Sequence, residues 1–402
     1  MSIQMPNIPI QAFDYSLPES KIAQFPLVNR HDSKLLVYSD GLIKHEAFRN
    51  LAEQLPVNAL LIFNNTKVIP ARIPLFKENG VAIELFLLHP TSDSAPTEQL
   101  MESKGEITWE CLVGNKKRWK DGDVLKKGDL RFSWLNREEN QIRINWNTDQ
   151  SFAQILDEIG KIPLPPYMER EAELNDSDRY QTLFSEKLGA VAAPTASLHF
   201  SDEVLADLDI RGIQKTYLTL HVGAGTFLPV KEDDVENHPM HREQLVFTPA
   251  LIETLLAHKG PFVPVGTTSL RALESLYWSG VWLHEKRPLG NETLIIPKEF
   301  AYEKREKSIS IKDSLEAVLT YIKVQKLEHW LAETEILIMP GYTLHFCDAL
   351  VTNFHQPKST LLVLIAALIS DDWKNVYEAA LDNEYRFLSY GDSSILYKKQ
   401  DI

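Results

Sequence analysis

Between residues 67 and 147 no helical pattern interrupts the chain. The runs ARIPLFKENGVAIELFLL, ITWECLVGN, DGDVLKKGDLRFSWL and NQIRINWN are short and β-favouring, with Gly, Asn and Asp turns between them. A stretch of that kind folds as a small barrel or sandwich. The loop at 90–104 inside it is expected to be mobile. Before it, SKLLVYSDGLIKHEAF predicts a hairpin turning at Asp40-Gly41, residues 50–55 a short helix, and ALLIFN (59–64) a buried strand.

After residue 150 helices return. Residues 152–159 predict a short helix, followed by the extended proline stretch IPLPPY. Strands and helices then alternate. SDEVLADLDIRG (201–212) has Ser201 as N-cap and Gly212 at its end, and IQKTYLTLHVG (213–223) is a strand. TPALIETLLAHKG (248–260) has Thr248 as N-cap, Pro249 at the first helical position and Gly260 as C-cap. PFVPVG is a strand and LRALESLYW a helix; a helix over 313–331, strands EILIMP and DALVTNF, and the helix STLLVLIAALI complete the series. Such alternation means α/β.

Composition narrows the function classes. Over 402 residues, 42 Lys+Arg stand against 56 Asp+Glu, a formal charge of −14, which excludes a general nucleic-acid coat protein. Any basic face has to be local. Cys111 and Cys347 lie too far apart in sequence for a zinc ribbon or a CxxC pair, and fit a reducing cytoplasm. The N-terminal stretch is broken by Pro6, Pro9 and Pro18 and has no signal-peptide core. The apolar run LLVLIAALI is about half of the ~20 residues that a membrane span needs, so no membrane association is expected.

Common motifs fail. HVGAGTF follows a strand, but Leu228 and Pro229 stand where a Rossmann turn has its third glycine and helix. Pro357-Lys358-Ser359-Thr360 lacks the glycines of a P-loop, and neither GxSxG nor HExxH occurs. What remains is polar segments at strand ends. Alternation puts Leu218, Leu220 and Val222 on one face of their strand and Tyr217, Thr219 and His221 on the other, with His221 running into Gly223-x-Gly225. The alternative is a histidine hydrogen-bonded at a sheet edge. His238-Pro-Met-His241-Arg-Glu243 is a polar loop that could supply metal ligands or a base with its orienter, although simple loop polarity outweighs a metal. Two strand–turn–helix units, Val265-Gly-Thr267-Thr268-Ser269-Leu-Arg271 and Thr352-Asn353-Phe-His355-Gln-Pro-Lys358-Ser359, suggest an anionic ligand at a sheet edge, with ordinary N-caps (Thr268 or Ser269 in the first unit, Ser359 in the second) as the plainer alternative. Lys116, Lys117, Arg118 and Lys120 flank Trp119, a cluster that fits RNA phosphates plus a base as well as it fits a solvated hairpin.

Taken together, FDYSLP, IFNNTKVIPAR, IPLPPY, DRYQTLFSEKLGAVAAPTASLHF, TLHVGAGTF, HPMHREQ, GTTSLRALES, MPGYTLHFCDALVTNFHQPKSTLL and YRFLSYGD run in order along nearly the whole chain. They resemble the S-adenosylmethionine:tRNA ribosyltransferase-isomerase family of queuosine biosynthesis. The resemblance implies transfer of the ribosyl group of S-adenosylmethionine to 7-aminomethyl-7-deazaguanine at the tRNA wobble position. The sugar isomerises to give epoxyqueuosine, and adenine and methionine leave. S-adenosylmethionine is then a substrate, and no cofactor or metal is implied. The partners are that tRNA and S-adenosylmethionine, and the expected state is a cytoplasmic monomer. The implied fold is a mixed α/β (α+β) main domain, residues 1–66 and 151–402, with an inserted β-barrel at 67–150; the active site lies in the second part.

That chemistry needs groups titrating near neutrality, so His199, His221, His238, His241 and His355 are the catalytic candidates, with Glu243 as orienter or sulfonium partner. Thr195, Gly223, Gly225, Thr267, Thr268, Ser269, Arg271, Asn353, Lys358 and Ser359 are the substrate-binding candidates, and Lys116, Lys117, Arg118 and Lys120 the tRNA-binding ones. Three positions depart from the family pattern: Ser197 replaces Gly, Gln356 replaces Leu, and no Arg stands near Thr343. The alternative is a diverged paralogue of the same fold that binds RNA or a nucleoside without this catalysis; a third reading, weaker than these two, is a metal-dependent hydrolase using His221, His238 and His241.

Overall fold

The computed structural model describes residues 5–92, 95–227, 230–289 and 293–400. Two large sheets and a two-stranded one, Thr66–Val68 with Lys187–Ala190, form the α/β body. The larger has six strands in the order Phe262–Pro264, Leu60–Asn64, Gln214–Leu220, Glu243–Phe247, Trp330–Thr334 and Leu294–Ile296. Its first three strands are parallel; Glu243–Phe247 runs antiparallel to both its neighbours. The smaller has four strands, Ala349–Asn353, Ser393–Tyr397, Lys34–Ser39 and Leu42–Ala47, the last two being the hairpin expected at Asp40-Gly41. A parallel bridge from Val265 to Val351 joins the two sheets. The helix Thr267–His284 is buried on every side from Thr267 to Val281, and the apolar helix Thr360–Ile369 is buried from Leu362 onward. A helix that is apolar all round belongs in a core. No helix among the described residues is long and apolar enough to cross a membrane.

The β-rich stretch forms a six-stranded antiparallel sheet in the order Arg72–Phe76, Ala82–Pro90, Glu106–Val113, Gln141–Asn145, Leu130–Asn136 and Leu125–Lys127. It curls almost shut: Lys127 Nζ on the last strand donates to Pro74 O on the first at 3.0 Å. Period-2 burial sends Ile83, Leu85 and Leu87, then Ile107, Trp109 and Cys111, into a core of its own.

Four expected elements differ. The helix placed at 313–331 is Ile311–Gln325; Lys326 adopts a left-handed φ of 55° and stops it. Trp330–Thr334 is the strand instead, and 335–340, expected as strand EILIMP, runs outside the sheet. The helix Pro249–Ala257 keeps its Thr248 cap but ends on His258, not on Gly260. Inside the loop at 90–104, residues 95–104 are held in place, with a helical turn at Thr97–Leu100 and Met101 buried in the barrel core; Asp93 and Ser94 lie outside the described residues, as do Leu228 and Pro229.

Candidate active site

The bridge between the sheets determines what meets at their edge. Phe262–Pro264 and Ala349–Asn353 end side by side, with Gly266 N–H donating to Val351 O at 2.8 Å; the first leads into the helix that starts at Thr267 and the second, after a short loop, into the helix that starts at Thr360. The two helix starts therefore face one cavity of about 70 Å³, whose lining includes Thr195, Thr267, Thr268, Asn353, His355 and Ser359. Ser359 caps its helix as expected, accepting from Leu362 N–H at 3.2 Å. The other start is uncapped. Gly266 occupies the cap position at φ 90°, Ser269 Oγ donates back to Val265 O at 2.8 Å, and buried Thr268 Oγ1 has no partner among the described residues. Free N–H groups and an unsatisfied hydroxyl at a helix start favour a polar or anionic ligand.

Two histidines, His355 in this cavity and His199 behind its Asn353, stay neutral. Burial pushes the His355 imidazole down to about 3, and its Nε2 meets Thr352 Oγ1 at 3.1 Å. His199 is pulled to about 4, because burial outweighs the help of Asn353 and Asp392. Its ring nitrogens contact Ser33 Oγ and Asn353 Oδ1, both at 2.9 Å. A carboxamide oxygen only accepts, so Nε2 carries the proton and Nδ1 accepts from Ser33. Asn353 Nδ2 in turn donates to Leu388 O at 2.9 Å and Ser389 O at 3.2 Å. The expectation that these two histidines titrate near neutrality is corrected: desolvation takes them out of that range, and His199 holds Asn353 in orientation. Lys358 is also spoken for, paired with Asp14 at 2.9 Å.

A second, smaller cavity of about 30 Å³ adjoins the first, Leu361 lining both. Buried Glu243 opens its strand and forms an ion pair with buried Arg271, while Glu243 Oε1 accepts Gly223 N–H at 3.2 Å. Arg271 Nε donates to Ile336 O at 3.3 Å; its buried Nη2 has no partner among the described residues. His238 Nδ1 meets Glu232 at 3.1 Å. His241 is exposed, and its ring lies over Gly225, where an added Cβ would sit 2.0 Å from the ring Cδ2. Of the five candidate histidines, His241 alone has neither nitrogen hydrogen-bonded among the described residues. No group of three or more metal-ligating side chains occurs among those residues.

His221 is held through both ring nitrogens. Its Nδ1 meets Thr66 Oγ1 at 2.9 Å, and its Nε2 meets Glu98 Oε2 at 3.2 Å. Glu98 comes from the turn at Thr97–Leu100, which Thr97 fastens to the body through two bonds to Gln244 Oε1, at 2.9 and 3.0 Å. Gly189 makes the approach possible, since a Cβ there would lie 2.7 Å from Thr97 Cγ2 and 2.8 Å from His221 Nδ1. Burial would raise the Glu98 carboxyl, but hydrogen bonds with His221 and its own backbone, with the charges of His221 and Lys187, hold it below its ordinary value. Beside this pair opens a cleft of about 940 Å³ between the barrel sheet and the body, lined among others by Arg72, His89, His221, Gly223, His241 and Arg242. Glu98, Thr66, Gly189 and Gln244 escaped sequence reasoning. The one local signal was Pro96-Thr97-Glu98, a helix start carrying an acid.

The basic cluster is half of what was expected. Trp119 is fully buried in the barrel core, its ring 4.6 Å from that of Trp134 and its indole N–H donating to Asp123 O at 3.0 Å, so it cannot stack on a base. Lys116 Nζ is engaged by Arg137 O and Asn140 Oδ1, whereas Lys117, Arg118 and Lys120 are exposed.

The chain matches the model of the family described as queuosine biosynthesis protein over residues 10–396. It is 35% identical over 393 residues to an S-adenosylmethionine:tRNA ribosyltransferase-isomerase of Legionella pneumophila, covering 96% of this chain and 99% of the relative. It is 37% identical over 399 residues to one of Halothermothrix orenii, with the same coverage. A solved S-adenosylmethionine tRNA ribosyltransferase from Thermotoga maritima is 26% identical, with 96% of this chain and 99% of that one covered and a TM-score of 0.45. A match from Ile10 to Leu396 leaves only the chain ends outside, and on that extent the chain belongs to the queuosine biosynthesis protein family.

Proposed function

We propose that this chain is an S-adenosylmethionine:tRNA ribosyltransferase-isomerase of queuosine biosynthesis, moving the ribosyl group of S-adenosylmethionine onto 7-aminomethyl-7-deazaguanine in tRNA. The observation that carries the reading from the site is the run of contiguous spaces. A cavity at two helix starts adjoins one lined by Arg271, and both border a cleft wide enough for a nucleotide. The residue roles follow from chemistry. The aminomethyl group has to lose a proton before it attacks, and the His221–Glu98 pair at the cleft is the group placed to take it. Arg271 Nη2 offers an unused donor to the methionine carboxylate. Glu243, on its other side, puts a carboxylate near the sulfonium. His241, whose ring nitrogens have no partner among the described residues, protonates the departing adenine. His199 and His355, neutral and hydrogen-bonded, position Asn353 and Thr352 and do not shuttle protons. Lys117, Arg118 and Lys120 are free to meet phosphates.

In this reading the barrel sheet is an inserted domain, residues 67–150, between two parts of the body, and its Glu98 turn completes the site. The protein works as a cytoplasmic monomer with no cofactor beyond the S-adenosylmethionine it consumes. A non-catalytic paralogue is not favoured, since the chain keeps the buried Glu243–Arg271 pair, the Gly223 N–H on Glu243 and the His221–Glu98 pair beside one cleft. The test is incubation with S-adenosylmethionine and tRNA carrying the 7-aminomethyl-7-deazaguanine base, followed by chromatography. Adenine and methionine should appear together with modified tRNA. S-adenosylhomocysteine among the products signals methyl transfer and refutes the reading.

A further inference from the structure

Behind the helix-start cavity lies a small pocket whose lining includes Arg30, Arg179, Arg386, His199, Ser389 and Gly391. The first two arginines clamp each other's segments. Arg30 donates to Gln181 O at 2.7 Å and Asp178 O at 2.9 Å; Arg179 donates to Val28 O at 3.0 Å and to Leu27 O. All these acceptors are neutral carbonyls. Neither guanidinium has an ion pair among the described residues, and Arg179 Nε is buried with no partner there. The third, Arg386, shares Asp392 at 3.3 Å. Burial, then the adjacent Arg179 charge, holds Arg30 below its ordinary value, against smaller opposing contributions from Tyr390 and Asp178. His199 adds no charge, being held neutral.

Holding two half-buried cations together on neutral acceptors alone is unfavourable unless an anion completes the site. Guanidinium forks fixed by backbone carbonyls are also preorganised, which suits a phosphate more than a flexible lysine would. In a chain of formal charge −14 this is a local positive spot. It is one hydrogen bond from the proposed active site: His199 lines the pocket and binds Asn353, which lines the cavity, and Ser389 lines both.

We propose that Arg30, Arg179 and Arg386 form a docking site for one backbone phosphodiester of the RNA strand, next to the nucleotide that enters the active site. The proposal rests on the tRNA reading above, and the test separates the two. Affinity for the substrate tRNA is measured against salt for the native chain, Arg179→Gln and Arg386→Gln; S-adenosylmethionine binding without RNA checks that each variant folds. Arg386 stands outside the carbonyl clamp, so it serves if Arg179→Gln fails to fold. A folded variant should lose roughly 0.7 from the log–log salt slope, the value of one single-strand phosphate contact. RNA with a single methylphosphonate at each position around the target base should show one position that weakens native binding but leaves the variant unchanged. Unaltered slopes and no coupled position overturn the proposal while leaving the enzyme reading intact. Inorganic phosphate that binds the native chain tightly without displacing tRNA marks a free-anion site and also overturns it. A native chain that binds no tRNA refutes the functional reading itself.

Discussion

The barrel sheet and the α/β body bury different chemistry. Inside the barrel sheet the enclosed side chains are apolar, from Ile73 and Leu85 to Trp109, Trp119 and Phe132, with Cys111 among them. The body encloses Asn64, Thr66, His199, His221, Glu243, Arg271, Thr352, Asn353 and His355 as well as its apolar core. Buried polar groups cost stability unless each finds a partner, and a fold keeps them where they do something else. The contrast teaches where to look for function: the barrel contributes shape and one reaching carboxylate, Glu98, and the body contributes the chemistry.

The largest effects should divide along that line. Trp119→Ala empties a fully buried indole site and should cost about 3–5 kcal/mol, while enzyme that stays folded keeps its turnover. Arg271→Met takes away the buried cation that pairs with buried Glu243, and should cost a similar 3–5 kcal/mol by denaturant titration. Here the doubly substituted Arg271→Met/Glu243→Leu chain should regain much of the stability and none of the activity. If activity returns with stability, the pair is scaffold and the contrast between the regions collapses.

Turnover sharpens it next. His221→Ala should lower turnover by roughly 10²–10⁴-fold if the imidazole takes the substrate proton. Glu98→Gln should act in the same direction by about 10²-fold, because a neutral amide no longer stabilises the charge the imidazole gains on taking the substrate proton. Native turnover with Glu98→Gln reduces Glu98 to a tether between barrel and body.

These two residues also measure how much was legible in the sequence. His221 was flagged because strand alternation and a following Gly-x-Gly turn are local patterns. Glu98 was not, because it lies 123 positions away by the chain and meets His221 only when two units dock. Most of the barrel strands, the 34–47 hairpin and the caps at Ser201, Thr248 and Ser359 follow from local periodicity and capping, and all form as expected. The strand Ser393–Tyr397 did not stand out; its place between Lys34–Ser39 and Ala349–Asn353 is set by pairing across more than 350 residues on one side. Trp119 was misjudged for the same kind of reason. A loop tryptophan between lysines looks exposed until the barrel closes over it.

Acid should expose the body before the barrel. Burial lowers His199 from 6.5 to about 4 and His355 from 6.5 to about 3, so the unfolded chain binds protons that the folded chain refuses. The stability this supplies is complete above about pH 6.5 and is lost as pH falls toward 4. Each histidine contributes about 1.4 kcal/mol per pH unit across that window. Denaturant midpoints measured from pH 7 to pH 4 should therefore fall steeply, and His199→Asn should remove about half of this contribution. A pH-independent midpoint means these imidazoles are hydrated and the cavity is not closed around them.

The smallest effect concerns Ser197, where the family pattern has glycine. A glycine is obligatory only if φ is positive or a ligand approaches the backbone. Ser197 lies in the turn Thr195–His199, outside the residues with positive φ, so serine brings no left-handed strain. Its side chain is completely buried and its Oγ has no partner among the described residues. The cost is thus an unsatisfied hydroxyl and not a bent backbone. Ser197→Ala removes that hydroxyl while keeping the Cβ, and should stabilise the chain by about 1 kcal/mol. Ser197→Gly gives up the Cβ as well, leaving a small void and a looser unfolded chain, and should be less stable than the alanine variant. Combined with Gln356→Leu at the cavity mouth, it should change turnover on the queuosine-precursor tRNA by less than about tenfold, or 1.4 kcal/mol. An alanine variant less stable than the native chain means the hydroxyl is satisfied by something held in the cavity. In that case Ser197 belongs to the site of the body and not to its packing.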